Sequence, residues 1–241
     1  KLSYEGLLLP WASVINPRQW CYHLSSAEPI TVATNQPVTA LTRCQAGWQV
    51  TTAQQTPLFF DYVVIAAGCH SHLFCPDVHL PLGKCPGQIT QIAENGVAPQ
   101  PETVLYHRGY LTPAINGYHT LGATYRYNDV DNINVSQHDH QQNIEPWLNI
   151  GGSMNSLLAQ RPVLGRASHR VMTPDYLPVI GAITNSNNHD GEDRLFITAG
   201  HCSRGLSSTA LAAEFILSLI NAEPLPVSRD LFSAINPYRF K

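Results

Sequence analysis

The residues best suited to chemistry lie in a turn between an apolar strand over 195–198 and a helix that begins near Gly205. The turn contains Gly200, and the first positions of the helix are almost all small. Small residues let a flat group approach the backbone, and the unpaired N–H groups of a helix start favour a negative charge. A reduced flavin is flat and anionic at one edge, so this segment is a candidate flavin contact. An ordinary strand–turn–helix unit with alanine packing explains the same residues equally well.

Three other clusters of reactive side chains suggest a zinc site, a hydrolase nucleophile or a calcium loop, but their spacing fits these sites poorly. Residues 69–75 contain two cysteines and two histidines, but ligands this close on one loop rarely complete a zinc tetrahedron. We therefore predict no metal site. Residues 201–203 combine histidine, cysteine and serine without the Gly-x-Ser-x-Gly spacing of a hydrolase nucleophile. Residues 129–134 do not form a calcium loop, because Ile133 occupies a ligand position.

The composition is that of a folded chain without a strongly basic surface. Of the 241 residues, 44% are hydrophobic and 13% are charged, and the formal net charge is −3 with eleven arginines and three lysines. No apolar run has the length of a membrane span, and this charge gives no electrostatic basis for free-standing nucleic-acid binding. The six cysteines lack the spacing of a disulfide framework, which indicates a reducing cytoplasm.

The hydrophobic pattern predicts a mixture of strands and helices. Strands are expected at 6–9, twice within 29–42, at 48–52, at 59–67, and around 87–90, 109–113 and 121–125. The run at 59–67 is largely apolar and ends on Gly68, as expected for a buried parallel strand. A helix is predicted over 137–161 with a break at 151–152, and a final strand and helix over 195–221. This interleaving predicts an α+β fold of two discontinuous lobes.

Several segments, in the same order along the chain, resemble the D-amino-acid-oxidase-like flavoenzymes, the group of glycine oxidase and sarcosine oxidase. They are 61–68, 86–90, 109–113, 121–125 and 170–181. Four further segments resemble the FAD-dependent oxidase half of the bifunctional tRNA-modifying enzymes of 5-methylaminomethyl-2-thiouridine biosynthesis. They are 203–206, 211–214, 223–226 and 236–239. The resemblance therefore covers nearly the whole chain.

This resemblance implies a mixed α+β fold in which an incomplete FAD-binding lobe is interleaved with an antiparallel-sheet substrate lobe. It assigns 1–20 and 79–165 to the substrate lobe, and 21–78 and 166–241 to the FAD-binding lobe. The family holds the FAD pyrophosphate with a Gly-x-Gly-x-x-Gly turn, a pattern that none of the sixteen glycines forms. We therefore expect the chain to begin after the first nucleotide-binding unit, and whether it binds FAD by itself stays open.

The activity that the resemblance implies is oxidation of a carbon–nitrogen bond next to a carboxylate. On tRNA, this reaction removes the carboxymethyl group of 5-carboxymethylaminomethyl-(2-thio)uridine and leaves 5-aminomethyl-(2-thio)uridine. The implied cofactor is FAD, and the implied partners are tRNA and a fused methyltransferase domain, with neither a membrane nor a metal. A stand-alone amino-acid or amine oxidase of the glycine or sarcosine oxidase type is an alternative, as is an inactive piece that binds no FAD.

The resemblance also implies two catalytic residues. Arg170 matches the arginine that clamps the substrate carboxylate, a task for which a guanidinium offers two parallel hydrogen bonds. Its alternative role is an ion pair with Asp175. Tyr110 matches a family tyrosine near the substrate, and its alternative role is that of a half-buried core aromatic.

The remaining implied contacts are with the cofactor. The flavin ring is expected to face Gly200, Arg204, Gly205, Leu206 and Ser207, and the adenosine end is expected to face Val38, Ala66, Ala67 and Gly68. Cys202 stands where the family usually has glycine, so its Cβ is expected to crowd the flavin edge. The candidates for RNA phosphate contacts are four arginines, of which we assign none: Arg18, Arg108, Arg126 and Arg161.

Overall fold

A computed structural model describes residues 5–45, 47–54, 56–94, 101–148, 150, 155, 158, 164–183 and 194–240. The helices are α1 (Pro17–Ser25), α2 (Gln137–Leu148), α3 (Gly205–Ile220) and α4 (Arg229–Ile235). The strands are β1 (Val38–Cys44), β2 (Gly47–Thr52), β3 (Pro57–Phe60), β4 (Val63–Ile65), β5 (Gly83–Ala93), β6 (Leu105–Tyr106), β7 (Tyr110–Leu111), β8 (Tyr118–Gly122), β9 (Leu164–Met172), β10 (Val179–Ala182) and β11 (Leu195–Ala199). This mixture of helices with mainly antiparallel sheets confirms the α+β prediction. In the described part of the chain, no helix combines the length and hydropathy needed to cross a bilayer.

The chain divides into two compact units, each made of two separate stretches. The first unit comprises residues 1–20 and 85–169, and the second comprises residues 21–84 and 170–241. The boundaries after residues 84 and 169 lie a few residues beyond the boundaries after 78 and 165 that the resemblance implies. The assignment of the units to substrate and FAD binding stays a prediction.

The first unit is built on a five-stranded sheet with the order β6-β7-β8-β5-β9. Strand β5 pairs antiparallel with β8 from Ile89–Gly122 to Ala93–Tyr118, and helix α2 contacts β8. The apolar core of this unit includes Ile92, Leu111, Leu121 and Trp147. Because side chains alternate along a strand, the core face of β5 also carries Gln88 and Thr90, which need internal hydrogen-bond partners.

A buried polar network supplies those partners. The side chain of Gln88 donates to the carbonyl of Ser136 over 3.0 Å, and the Asn143 amide donates to the Thr90 hydroxyl over 3.1 Å. The Thr90 hydroxyl also bonds Nδ1 of His140 at 2.8 Å. Burial lowers the pKa of His140, which favours its neutral form, although the charge of Asp139 acts in the opposite direction. Helix α2 is therefore attached to the sheet by polar as well as apolar contacts.

The second unit contains two three-stranded sheets. One is antiparallel with the order β1-β2-β3, and the other has the order β10-β11-β4. In the latter, β4 pairs parallel with β11, and β10 pairs antiparallel with it. Helix α3 contacts β10 and β11, and its buried Ala212, Phe215 and Ile216 pack with Phe196. This packing fixes the helix beside the sheet from which it emerges.

Four sequence predictions of strands or helices need correction or limits. Residues 6–9 belong to no strand in the described chain, and Leu7 is 87% exposed, because apolar residues form a strand only with a partner. Within 29–42, only β1 forms. The run at 59–67 splits, because its first part pairs with β2 and its last part with β11. The helix predicted over 137–161 is α2 up to Leu148, and the break at 151–152 lies outside the described residues.

Asp175 and Arg239 form an ion pair that attaches the C-terminal end of the described chain to the loop before β10. The Arg239 guanidinium donates to both carboxylate oxygens, over 2.8 and 3.1 Å, and to the carbonyl of Leu177 over 2.8 Å. These hydrogen bonds from Arg239 lower the pKa of Asp175 from 3.8 to about 2. The Asn-Pro-Tyr-Arg motif at 236–239 therefore has a structural role within the second unit.

We expect the Asp175→Asn variant to be less stable than the unsubstituted chain by an amount that depends on pH. A lowered carboxyl pKa contributes stability that is fully present above 3.8 and is lost as the pH falls to about 2. The difference in the free energy of unfolding should therefore shrink across that window, as measured by urea denaturation at several pH values. The exposed Asp77→Asn variant is the control. A difference that is unchanged down to pH 2 would contradict this account.

Candidate functional site

Parallel pairing of β4 with β11 brings two predicted cofactor segments to one edge of a sheet. Ile197 is the register partner of Ile65, so the carboxyl ends of both strands point the same way. Residues Ala66 to Gly68 follow β4, and the turn from Gly200 follows β11. Strand β11 also contacts the short 3-10 helix Gly68–Phe74. In open α/β sheets, ligands bind outside the carboxyl ends of the strands.

The turn at Gly200 requires glycine for two reasons. Its φ is +71°, in the left-handed region, and a Cβ at this position would lie 3.0 Å from Cγ2 of Thr173. Glycine therefore allows the chain to leave β11 sharply while packing against Thr173. The chain then forms the 3-10 helix Cys202–Arg204 and enters α3 at Gly205.

The start of α3 has open space around its first residue and exposed side chains directly after it. A Cβ on Gly205 would meet no atom within 4 Å among the described residues, and Leu206 and Ser207 are exposed. The side chain of Arg204, at the N-cap, makes no capping bond in this part of the described chain. The hydroxyls of Ser207 and Ser208 donate back to the carbonyl of Arg204 over 3.0 and 2.8 Å. These features suit a flat, anionic group at the helix start.

His201 links the end of β11 to helix α3. Its Nε2 bonds the Thr198 hydroxyl at 2.8 Å, and its Nδ1 bonds the Ser208 hydroxyl at 2.8 Å. Burial lowers the pKa of His201, so the ring is neutral at neutral pH. Both ring nitrogens therefore bond Thr198 and Ser208, and neither bonds Cys202 or Ser203. His201 thus stabilises the turn between β11 and α3. The sequence analysis does not identify Thr198 or Ser208 as partners of His201. Thr198 is a polar residue at the end of an apolar strand, which is a signal for such a role.

Cys202 adopts a backbone conformation that favours glycine. Its φ is +50°, which costs an L residue roughly 1–2 kcal/mol relative to glycine. This is the position at which the resemblance leads us to expect glycine, so the geometry gives a backbone reason for that expectation. The expected crowding of the flavin edge by this side chain stays a prediction.

The residues predicted at the adenosine end lie in or directly after strands of two sheets in the second unit. Val38 begins β1 and is exposed, whereas Ala66 and Ala67 follow β4 and are also exposed. Gly68 has a φ of +58°, which lets the chain turn directly into the 3-10 helix. Their contact with adenosine stays a prediction.

The two predicted catalytic residues belong to different units. Arg170 is half-buried near the end of β9, in the second unit, and Tyr110 is half-buried at the start of β7, in the first unit. Asp175, the alternative partner of Arg170, bonds Arg239 through both of its carboxylate oxygens. The catalytic roles of Arg170 and Tyr110 stay predictions.

Gly122 is the residue that makes room for Tyr110. The two are register partners in neighbouring strands, and a Cβ on Gly122 would lie 2.7 Å from Oη and 2.9 Å from Cζ of Tyr110. The tyrosine side chain therefore lies directly over Gly122. A glycine inside the predicted strand at 121–125 was a sequence signal of such a close approach.

We expect Gly122→Ala to displace the Tyr110 ring and to reduce the free energy of unfolding by about 1–3 kcal/mol, as overpacking usually does. Urea denaturation measures this change. Gly83→Ala is the matched control, because a Cβ on this other strand glycine would meet its nearest atom only at 3.8 Å. Equal stability of the Gly122→Ala variant and the unsubstituted chain would show that Tyr110 moves away freely.

The cysteine- and histidine-rich segment 69–75 is mostly the 3-10 helix Gly68–Phe74. The Cys75 thiol donates to the carbonyl of Ser71 over 3.3 Å, and burial raises its pKa to about 11, so it is protonated at neutral pH. His72 directs Nδ1 to the carbonyl of Cys69 at 2.9 Å. Across the described ranges, no three His, Cys, Asp or Glu side chains form a group that could hold a metal ion.

Arg126, one of the four candidates for a phosphate contact, is bonded to internal partners instead of being an exposed arginine. Its guanidinium bonds the buried Asp139 carboxylate and donates to the carbonyls of Asn132 and Asn134 over 2.9 and 2.8 Å. These internal partners hold the side chain at 14% exposure. Arg161 lies outside the described residues, and Arg18 and Arg108 are exposed.

Most of the chain matches the model of one protein family. A family model described as FAD dependent oxidoreductase matches residues 2–219. The chain belongs to this family. Family membership agrees with the site geometry, in which an open helix start lies at the carboxyl ends of parallel strands.

Curated relatives narrow the similarity further. The chain is 31% identical to the tRNA 5-methylaminomethyl-2-thiouridine biosynthesis bifunctional protein MnmC of Methylobacillus flagellatus, over 99% of this chain and 39% of that protein. It is also 31% identical to the MnmC protein of Chromobacterium violaceum, over 99% of this chain and 40% of that protein. The chain thus spans about two fifths of the length of the curated relatives it matches.

Solved structures of amino-acid and amine oxidases share the fold. Glycine oxidase from Geobacillus kaustophilus superposes with a TM-score of 0.68 at 18% identity, over 86% of this chain and 52% of that one. Iminodiacetate oxidase from Chelativorans sp. BNC1 gives a TM-score of 0.67 at 17% identity, over 82% of this chain and 52% of that one. At these identities the similarity concerns the fold alone.

Proposed function

We propose that this chain is the FAD-dependent oxidase part of an enzyme that modifies the wobble uridine of tRNA. It removes the carboxymethyl group of 5-carboxymethylaminomethyl-(2-thio)uridine and leaves 5-aminomethyl-(2-thio)uridine. The alignment of bifunctional MnmC proteins over 99% of the chain supports the tRNA substrate and a fused second domain in the longer protein, for which the family resemblance implies a methyltransferase. The observation that carries the proposal is the open, uncapped start of α3 at the carboxyl ends of β4 and β11.

FAD fits the residues present at this edge of the sheet. The backbone N–H groups at Gly205 to Ser207, with the charge of Arg204, favour an anionic ring edge, and the small side chains leave space for it. The exposed Ala66 and Ala67 after β4 are proposed to contact the adenosine end. When bound, FAD supplies the acceptor for the hydride that leaves the substrate carbon.

The chain's own side chains position the substrate. Arg170 binds the carboxylate through two parallel hydrogen bonds, which fixes the methylene between the carboxylate and the nitrogen. Tyr110, whose ring lies over Gly122, is the second proposed substrate contact. Loss of a hydride from the methylene and of a proton from the nitrogen converts the carbon–nitrogen single bond into an imine, and water splits that imine into glyoxylate and the aminomethyl uridine. Neutral His201 holds the turn that faces the cofactor.

A stand-alone amino-acid or amine oxidase is the second candidate. It is favoured by the shared fold of glycine oxidase and iminodiacetate oxidase, with TM-scores of 0.68 and 0.67. Both candidates use the same Arg170 and the same helix start, so they differ only in the molecule that carries the carboxylate. The two are therefore separated by substrate and not by cofactor.

The test begins with the visible absorption spectrum of the purified chain before and after excess FAD. A flavin band that co-elutes with the protein supports the proposed site, and a colourless protein that ignores FAD assigns this chain no oxidase activity of its own. Glyoxylate release is then measured with undermodified tRNA and with free glycine or sarcosine. Release from tRNA alone supports the proposal, whereas release from the free amino acids alone favours the stand-alone oxidase.

A further inference from the structure

Two tyrosines form an exposed, parallel pair of rings in the first unit. Tyr125 is 40% exposed and Tyr127 is 61% exposed. Their ring centroids lie 6.3 Å apart, and their planes differ by only 11°. Exposed aromatic surface of this kind marks interaction sites more often than isolated apolar side chains do.

The backbone beneath the pair is fixed by hydrogen bonds that continue the β5–β8 ladder beyond Gly122. The amide of Thr124 donates to the carbonyl of Gln88 over 3.1 Å, and the amide of Arg126 donates to the carbonyl of Pro86 over 2.9 Å. The segment is therefore extended, and successive side chains alternate between its two faces. Thr124 is buried and Arg126 is directed to internal partners, so the two tyrosines lie on the solvent side.

The inward side chains make this arrangement rigid. The Thr124 hydroxyl accepts from the amide of Gln88 over 3.0 Å, and Arg126 bonds the buried Asp139 and the carbonyl of Asn132. The residues on either side of Tyr125 are thus held by buried polar contacts. Because the pair is already held in place, the protein loses less conformational entropy when a planar ligand stacks on it than a mobile loop would.

We infer that Tyr125 and Tyr127 form a stacking platform for an unpaired base of RNA. The inference rests on the proposed tRNA substrate, because sequence-specific enzymes bind RNA through splayed bases that stack on aromatic side chains. The nearby charges disfavour a phosphate contact and leave the ring faces as the binding surface. The intervening Arg126 is neutralised by Asp139, and the segment continues with Asp129 and Asp131. Binding through ring faces predicts a shallow dependence of affinity on salt.

The experiment is fluorescence anisotropy of a labelled, unmodified anticodon stem-loop RNA titrated with this 241-residue chain. We expect Tyr127→Ala and Tyr125→Ala each to raise Kd by about tenfold, the effect of losing one base–aromatic stack. Tyr127→Phe keeps the ring face and should retain the affinity. Tyr22→Ala is the matched control, because Tyr22 is 68% exposed on α1, in the other unit. Far-UV circular dichroism checks that each variant folds.

The outcomes separate this inference from the proposed function. RNA binding that is insensitive to both alanine variants overturns the stacking platform and leaves the tRNA substrate standing. Absence of RNA binding by the folded, unsubstituted chain overturns the platform, whereas the tRNA substrate is judged separately by glyoxylate release from tRNA. The flavin spectrum is recorded on the same samples, so a cofactor defect is recognised independently of RNA binding.

Discussion

Replacing Arg126 by alanine is expected to lower the free energy of unfolding by about 3–5 kcal/mol, because it leaves a buried carboxylate without its cation. The Asp139 side chain is 3% exposed, and Arg126 provides its charge partner. The same guanidinium also satisfies the carbonyls of Asn132 and Asn134. Urea denaturation of the 241-residue chain measures the loss.

The same variant should show a specific pH dependence. Burial raises the pKa of Asp139, but hydrogen bonds from Arg126 and Ser136 and the charge of Arg126 outweigh burial and hold it below its ordinary 3.8. Because the folded pKa is lowered, the carboxylate contributes stability above 3.8 that is lost as the pH falls. The gap between the Arg126→Ala variant and the unsubstituted chain should therefore narrow in acid.

Arg18→Ala is the control for this experiment, because Arg18 is an exposed arginine on helix α1. We expect it to change the free energy of unfolding by no more than about 0.5 kcal/mol, as is usual for surface substitutions. If Arg126→Ala proved as mild as Arg18→Ala, the ion pair between Arg126 and Asp139 would not stabilise the fold. Water would then have to solvate the Asp139 carboxylate in the variant.

The Arg170→Ala variant of the flavin-loaded longer protein is expected to lose about 100-fold in kcat/KM for glyoxylate release, since it removes the charge-assisted, bidentate contact proposed with the carboxylate. Arg170→Lys keeps the charge but not the planar guanidinium, so its kcat/KM should lie between those of the unsubstituted enzyme and the Arg170→Ala variant. The visible flavin spectrum of each variant shows whether the cofactor is retained. Steady-state assay of glyoxylate provides the rates.

Arg166→Ala is the matched control, because Arg166 is an exposed arginine on the same strand, β9. It should leave kcat/KM close to that of the unsubstituted enzyme. If Arg170→Ala kept its activity while binding flavin normally, Arg170 would not be the carboxylate clamp, and its role in β9 would be structural.

The sequence determined the features that depend on neighbours along the chain. The apolar strand, glycine turn and small-residue helix at 195–221 appear as β11, the Gly200 turn and α3, because strand pattern, left-handed glycine and helix propensity are local properties. The ordered segments of resemblance likewise identified the family. The cofactor contacts of this region follow from that family and await the flavin experiment.

Only the tertiary structure decided the features that depend on distant partners. The apolar run at 59–67 gives no hint that β3 pairs with β2 while β4 pairs with β11. Nothing near Arg126 in sequence distinguishes it from an exposed arginine, but Asp139, on α2, makes it a buried ion pair. Leu7 is exposed although its neighbours are apolar. Apolar and charged side chains show what a segment can bind, whereas packing between segments far apart in sequence selects the partner.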